Sequence, residues 1–329
     1  MRTKSIATAV AVTTILAVAT LGLCSGLMAA NSAAPQIWLA GLDPISRNAK
    51  FPGSPSDYLD MFQPDAAWRR AAAKVQVFEL GPRFVMEAPD STLTQIFADL
   101  ERRHIALAIG ASWLPGGNAC GRGVEGFTHP GTAESVANRI HRLGGTVQYV
   151  VLDEPLYFGH RYDKQNACRW SIQEVAHNIA AGIAAFQSMF PQARICESEP
   201  VATPDAGWIE DIMQWTQAFK AATGHPLACL HADVQWSGAW QQQLPELESR
   251  LHAAGIQLGI IYNGDGKAQS GLEWTRQSMD RVHMVESGAR LVPDQALLQS
   301  WTRQPDHMLP EDQPGTMTWL VNQYVDWKR

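Results

Sequence analysis

Short apolar runs rich in β-branched and aromatic residues alternate with longer segments of helical periodicity, and this alternation constrains the fold more than any other feature. Eight runs read as strands: 37–42, 75–80, 105–110, 149–153, 194–199, 227–233, 258–263 and 296–301. Six longer segments read as helices: 91–103, 132–143, 172–190, 204–223, 241–254 and 271–286. Alternating strands and helices favour a parallel sheet covered by helices, and eight units that close on themselves form a (β/α)8 barrel, the TIM-barrel fold.

An open, doubly wound sheet is the main competing architecture. Such sheets concentrate their chemistry at one switch point, often beside a glycine-rich fingerprint after the first strand. Here no such fingerprint follows the first run, and polar residues gather at the ends of several runs. No internal repeat or low-complexity linker divides the chain. We therefore expect one α/β barrel domain over residues 35–329, closed by a helix over 316–324.

The N-terminus has the pattern of a secretory signal. Arg2 and Lys4 precede an apolar stretch that ends in small residues, with cleavage expected after Ala30 or Ala34. We therefore assign residues 1–30 to a signal peptide and expect a secreted or periplasmic protein. An uncleaved membrane anchor stays open, because the stretch is long enough to span a bilayer. A lipoprotein is disfavoured, because a small residue is expected before Cys24, where the sequence has Leu.

Export would place the remaining cysteines in an oxidising compartment, where disulfides form. Cys120 and Cys168 lie in polar loop segments, and we predict a bridge between them. Cys196 and Cys229 lie inside apolar strand-like runs, where buried free thiols are common. No cysteine and histidine spacing matches a zinc site, so neither a structural metal nor a cofactor is predicted.

Charge and aromatic composition narrow the class of ligand. The formal net charge is −6 without a long basic run, which argues against a nucleic-acid partner. No later stretch is apolar enough to keep the mature chain in a membrane. The 12 Trp residues outnumber the 10 Phe and the 6 Tyr. Because Trp offers a flat apolar face and one N–H donor, this bias suits stacking on sugar rings.

Polar side chains follow most of the predicted strands. In a (β/α)8 barrel these positions form the active-site face. The candidates at or just beyond the strand ends are Glu79, Trp113, Asp153, Glu154, Glu197, Glu199, His231, Asp233, Trp236, Tyr262, Asn263, Asp265 and Trp301. No comparable number of Lys or Arg residues accompanies the acids, so simple ion pairing does not account for them.

Converging carboxylates raise the pKa of one acid and leave another ionised, and glycoside cleavage needs that division. If Glu197 and Glu199 face the barrel axis, they converge with Glu154 on the preceding strand. We predict that Glu154 is the acid/base and that Glu199 or Glu197 is the second carboxylate. We expect the other candidates to bind a carbohydrate substrate.

The barrel pattern with Glu154 ending the fourth strand resembles the large clan of (β/α)8 glycoside hydrolases whose acid/base is a Glu at that position. In that clan an Asn usually precedes this Glu, and a second Glu ending strand seven is the nucleophile. Here Asp153 precedes it, and strand seven ends without a Glu. The resemblance implies an exported glycoside hydrolase with Glu154 as acid/base. It leaves Glu199, Glu197, Asp233 or Asp265 as candidate second carboxylates.

Three alternatives stay open from the sequence. The same acids could isomerise or cyclise a free monosaccharide without hydrolysis. The barrel could bind glycan without catalysis. A metal-assisted reaction is less favoured, because His231, Asp233, Glu197 and Glu199 could supply ligands but show no diagnostic spacing.

Overall fold

The computed structural model describes residues 34–204 and 207–328. Eight parallel strands close into a barrel in the order β1-β10-β9-β8-β7-β6-β3-β2. The barrel strands are β1 Gln36–Ala40, β2 Val77–Leu80, β3 Ala106–Ala111, β6 Tyr149–Asp153, β7 Arg194–Val201, β8 Cys229–Val234, β9 Gln257–Tyr262 and β10 Gln295–Gln299. Two short strands, β4 Leu114–Pro115 and β5 Phe127–Thr128, pair with each other in the loop region after β3. The single-domain (β/α)8 barrel is confirmed, and each predicted run contains a barrel strand to within a few residues.

Helices cover the outside of the barrel. They are α1 Pro44–Lys50, α2 Arg69–Ala72, α3 Pro82–Glu87, α4 Asp90–Arg103, α5 Thr132–Arg142, α6 Ile172–Met189, α7 Trp208–Thr223, α8 Trp240–Ala253, α9 Gly271–Val282 and α10 Met317–Trp327. Local signals fix several starts: Ser171 and Glu174 form a capping box at α6, and the Ser270 hydroxyl accepts the Glu273 N–H at α9. The short helices α1 to α3 were not predicted, because too few turns repeat for a helical period to show.

The barrel interior has its own packed cluster, separate from the larger core between strands and helices. Its buried members are Trp38, Val77, Ala108, Tyr149, Val151, Cys196, Cys229, Ile261 and Leu297. Side chains alternate along a strand, so the residues two positions further along point inward as well. This rule decides which strand-end side chains reach the mouth of the barrel.

Both disulfides lie within the described residues. Cys120 and Cys168 are bridged, which confirms the predicted pair. The expectation of free thiols at Cys196 and Cys229 is wrong, because these residues are also bridged. They are register partners on the neighbouring strands β7 and β8, and both point into the barrel with their Cα atoms 4.6 Å apart.

The predicted signal peptide lies outside the described residues. Among the residues that the structure does describe, no helix is both long and apolar enough to cross a membrane.

The Cys120–Cys168 bridge should stabilise the protein, because it links cysteines 48 residues apart in the chain. Closing a loop of that size restricts the unfolded chain by roughly 2–4 kcal/mol. We predict that replacing both cysteines with Ser lowers the free energy of unfolding by that amount in guanidinium denaturation. A change below about 0.5 kcal/mol would contradict this account.

Candidate active site

A cavity of about 350 Å³ opens at the C-terminal ends of the barrel strands. Inward-facing side chains from five strands line it: Glu79, Asp153, Ser198, Asp233 and Gln299. Glu154, which follows β6, and Trp301, which follows β10, also line the cavity. Five candidates from widely separated parts of the sequence therefore meet here: Glu79, Asp153, Glu154, Asp233 and Trp301.

The charges around this cavity are unbalanced. Six carboxyl groups line it, those of Asp43, Glu79, Glu125, Asp153, Glu154 and Asp233, whereas Lys50 is the one cationic side chain in the lining within the described part of the chain. Asp43 has a structural task, because its side chain accepts the N–H groups of Ile45 and Ser46 at the start of α1. Of the remaining acids Glu125 is exposed, whereas Glu79, Asp153, Glu154 and Asp233 are buried or half-buried.

Glu154 has an uncommon backbone conformation, with φ 46°. A left-handed φ is disfavoured for a residue with a side chain, and non-glycine residues of this kind cluster at functional sites. The Glu154 N–H donates to the carbonyl of Ser198 on β7, which holds this conformation. Burial, together with the charges of Asp233, Asp153 and Glu125, raises the pKa of Glu154 to about 9.

The two neighbouring aspartates are shifted less. Burial raises the pKa of Asp233 to about 6, while the nearby Arg281 guanidinium acts in the opposite direction. Burial also raises the pKa of Asp153 to about 6, and its carboxylate accepts the hydroxyl of Ser112. At neutral pH, Glu154 is therefore protonated while Asp233 and Asp153 are largely ionised.

Glu79 is buried in the cavity wall, with 9% of its surface exposed. Within the described residues, no hydrogen bond to its carboxyl group is found. Burial, then the charge of Asp153, raises the pKa of Glu79 to about 8. The absence of a side chain at Gly110 makes room for this group, because a Cβ there would lie 3.3 Å from Glu79 Oε1.

The cavity wall includes a loop that crosses from the third to the fourth unit of the barrel. Glu125 lies on this loop, which the Cys120–Cys168 bridge ties to the segment after β6. Two hydrogen bonds reinforce the tie: the Gly121 N–H donates to the Asn166 carbonyl, and the Asn166 amide donates to the Arg122 carbonyl. The wall is thus fixed to the segment that carries Glu154.

Glu197 and Glu199 do not point to the barrel axis, which corrects the orientation expected from the sequence. Cys196 and Ser198 take the inward positions of β7, so the alternating acids face the helices. Glu197 accepts the indole N–H of Trp215 on α7 at 2.6 Å, and both glutamates are completely buried. Whether either takes part in catalysis remains a prediction.

Glu199 instead holds the backbone directly after Glu154. Its two carboxylate oxygens accept the N–H groups of Leu156 and Tyr157 at 2.7 and 3.1 Å. Burial raises the pKa of Glu199, and these two N–H donors act in the opposite direction. The contacts fix the start of the helical turn Tyr157–Arg161.

Two further candidates lie deeper or behind the wall. His231 is buried below the cavity, where its Nε2 lies 2.7 Å from Gln295 Oε1 and burial lowers its pKa to about 4. Trp113 is buried against Phe186 of α6. Neither residue is among those that line the cavity.

The candidates at or just after the ends of β8 and β9 form a separate group beside the cavity. The Tyr262 hydroxyl donates to the buried Glu286 on the helical side. Trp236 donates to Asn263 and lies under the Arg281 guanidinium, and Asp265 is exposed. None of these four candidates is among the residues that line the cavity. Arg281, which donates to Asn263, lowers the pKa of Asp233 in the cavity.

The sequence reasoning missed several residues of the site. Asp43 followed by Pro44 is an N-cap signal directly after the first strand, and it could have been found. The inward position of Ser198 follows once Cys196 on the same strand is known to point into the barrel. Lys50 and Glu125 lie on a helix end and a loop, whose path the sequence pattern does not reveal.

No protein-family model matches the chain, and no curated protein matches it. Solved structures do match in fold. A family 10 glycoside hydrolase from Paenibacillus barcinonensis is 11% identical, with 88% of this chain and 95% of that chain covered and a TM-score of 0.52. Xylanase 10B from Thermotoga maritima is 10% identical, with coverages of 89% and 95% and a TM-score of 0.55.

The catalytic domain of a family 53 glycoside hydrolase from Ignisphaera aggregans is 8% identical, with coverages of 87% and 95% and a TM-score of 0.55. At such low identities the likeness concerns the fold alone. The chain therefore has the (β/α)8 barrel fold found in these glycoside hydrolases.

The raised pKa of Glu79 makes stability depend on pH in a definite direction. The unfolded glutamate ionises above about pH 4.5, whereas the folded one stays protonated up to about pH 8. The pH-dependent cost of its burial is therefore absent below pH 4.5 and grows progressively as the pH rises to 8. We predict that Glu79→Gln raises the free energy of unfolding more at pH 8 than at pH 5, as measured by urea denaturation. An equal effect at both pH values would contradict the raised pKa.

Proposed function

We propose that this protein is an exported glycoside hydrolase in which Glu154 is the general acid and Asp233 is the ionised carboxylate. The observation that carries the proposal is their meeting in one cavity at the C-terminal face of the barrel with different protonation states. A pair of carboxyl groups with separated pKa values is what glycosidic cleavage requires.

Burial and the charges of Asp233 and Asp153 keep the Glu154 proton in place until it can be transferred to the leaving oxygen. Asp233 stays ionised partly because Arg281 lies near it. In this mechanism, Asp233 either attacks the anomeric carbon or activates a water molecule. The side chain of Trp301 supports a sugar ring, since it lines the same cavity and offers an aromatic face.

The second carboxylate is thus assigned to Asp233 rather than to Glu199 or Glu197. Substrate reaches the cavity, whereas both glutamates are fully buried on the helical side of β7. We assign Glu199 a positioning role, because its contacts with Leu156 and Tyr157 hold the chain next to Glu154. Asp153 and Glu79 complete the acidic lining and contact the substrate.

Export is the second part of the proposal. It rests on the signal-like N-terminus and on the two disulfides, which persist in oxidising compartments. A secreted or periplasmic enzyme would meet carbohydrate outside the cytoplasm.

The role of Glu154 predicts a leaving-group effect. Glu154→Gln should reduce kcat/KM by at least about 10² on aryl glycosides with poor leaving groups, because removing a general acid typically loses that much. It should be nearly harmless on 2,4-dinitrophenyl glycosides, which need no proton to depart. Asp233→Asn is the matched control and should be impaired on both substrates. Equal losses in Glu154→Gln on both would remove Glu154 as the acid.

The pH profile gives an independent prediction. Activity should fall below about pH 6, where Asp233 becomes protonated, and above about pH 9, where Glu154 loses its proton. On the dinitrophenyl substrate, the activity of Glu154→Gln should not fall at alkaline pH.

Two other outcomes would favour different functions. Conversion of free monosaccharides without cleavage of any glycoside would favour sugar isomerisation, and binding without turnover would favour a glycan-binding barrel.

A further inference from the structure

The cavity carries far more negative than positive groups. Glu79, Asp153, Glu154 and Asp233 combine low exposure with mutual repulsion, while Lys50, at the end of α1, is an exposed side chain. A catalytic pair accounts for two of these acids. The proposed reaction leaves Glu79 and Asp153 without a chemical task of their own.

Glu79 is the acid with the least support from the protein. Its side chain is more than nine-tenths buried, lines the cavity, and has no hydrogen-bond donor among the described residues. The groups that act on it electrostatically are Asp153 and the buried Tyr58, and neither is a cation. An unpaired buried acid is costly, so a complementary group is expected from outside the protein.

The spacing of these acids disfavours a single bound metal ion as that complement. Among the described residues, only Cys196, Cys229 and His231 bring their ligand atoms within 4.8 Å of one another as a group of three, and the two cysteines are bridged. No three acids of the cavity approach so closely. A cavity of about 350 Å³ has instead the size of a small organic ligand such as a sugar.

We propose that the sugar bound in this cavity carries a free ammonium group, held by Glu79 and Asp153, so that the substrate is a glycoside of an unacetylated amino sugar. This inference rests on the proposed function and names its substrate class. In this arrangement Glu79 and Asp153 bind the ammonium group. Glu154 and Asp233 act on the glycosidic bond.

The barrel provides space for this division. Strands β2 and β6, which carry Glu79 and Asp153, flank β3 on either side. The inward position of β3 at this level is Gly110, and a Cβ there would lie 3.3 Å from Glu79 Oε1. The missing side chain thus leaves the Glu79 carboxyl group open on the side of β3, and Asp153 lines the same cavity.

Kinetics on matched substrates tests the inference. The substrates are the 2,4-dinitrophenyl glycosides of glucosamine, N-acetylglucosamine and glucose, and their galacto counterparts. Within each series they differ only in the substituent at C2, and the two series differ only in the configuration of one hydroxyl group. We expect kcat/KM to be at least tenfold higher for an amino sugar than for its acetylated and hydroxyl analogues. Glu79→Gln should reduce that ratio at least tenfold, whereas Glu101→Gln, which removes an exposed acid from α4, should keep it.

Binding of free amino sugars provides a readout that does not depend on hydrolysis. Because the ammonium favours ionised Glu79, binding of glucosamine or galactosamine at pH 7 should release about one proton. Calorimetry in buffers of different ionisation enthalpy measures that proton, and Glu79→Gln should abolish its release. The wild-type measurement stands even where the variant fails to fold.

The outcomes separate the two proposals. Cleavage of all glycosides without an amino-sugar preference would overturn this inference and leave the glycoside hydrolase intact. Proton-linked binding of amino sugars without cleavage would support the ammonium site and contradict the hydrolase. Thermal stabilisation by Ca²⁺ or Mg²⁺, with no binding of amino sugars, would overturn the inference in favour of a metal site.

Discussion

The alternation of side chains along parallel strands determines which groups of this protein meet. Once Val77, Val151, Cys196 and Cys229 pack inside the barrel, every second residue further along each strand must also point inward, and the last of these residues reach the mouth. That constraint brings Asp153 and Asp233 to the same cavity as Glu79. It also turns Glu199 away from the cavity. On the helical side of β7, Glu199 accepts backbone N–H groups next to Glu154.

Exclusion from water then raises the pKa values of the acids that meet in this cavity. Burial is the largest cause of the raised pKa of Glu79, Asp153, Glu154 and Asp233, and mutual repulsion adds to it. The arrangement destabilises the fold above pH 4.5, because the unfolded chain would ionise these groups freely. Groups with pKa values shifted in this way cluster at functional sites, where the loss of stability is tolerated. The nearby Arg281 guanidinium lowers the pKa of Asp233, and this moves the pKa values of the two proposed catalytic groups apart.

Much of this could be predicted from the sequence, for reasons visible in particular elements. Strand and helix periods are strong over long segments, so the barrel and the strand-end positions of Glu154 and Asp233 followed from the pattern. The phase of β7 did not, because Cys196 and Ser198 are as compatible with either face as Glu197 and Glu199. The same uncertainty concealed the Cys196–Cys229 bridge, which requires the register of β7 on β8. The presence of Glu125 in the cavity wall could not be predicted, because it depends on the path of a loop that the Cys120–Cys168 bridge fixes.

The central claim is that the cavity holds a protonated Glu154 beside an ionised Asp233 at neutral pH. Carbon-13 NMR of the side-chain carboxyl groups tests it most directly, with the purified protein titrated from pH 4 to 10 and with Glu154→Gln and Asp233→Asn used to assign the two signals. The account predicts that the Glu154 carboxyl titrates near pH 9 and that of Asp233 near pH 6. A Glu154 signal that titrates near its ordinary value of about 4.5 would contradict it.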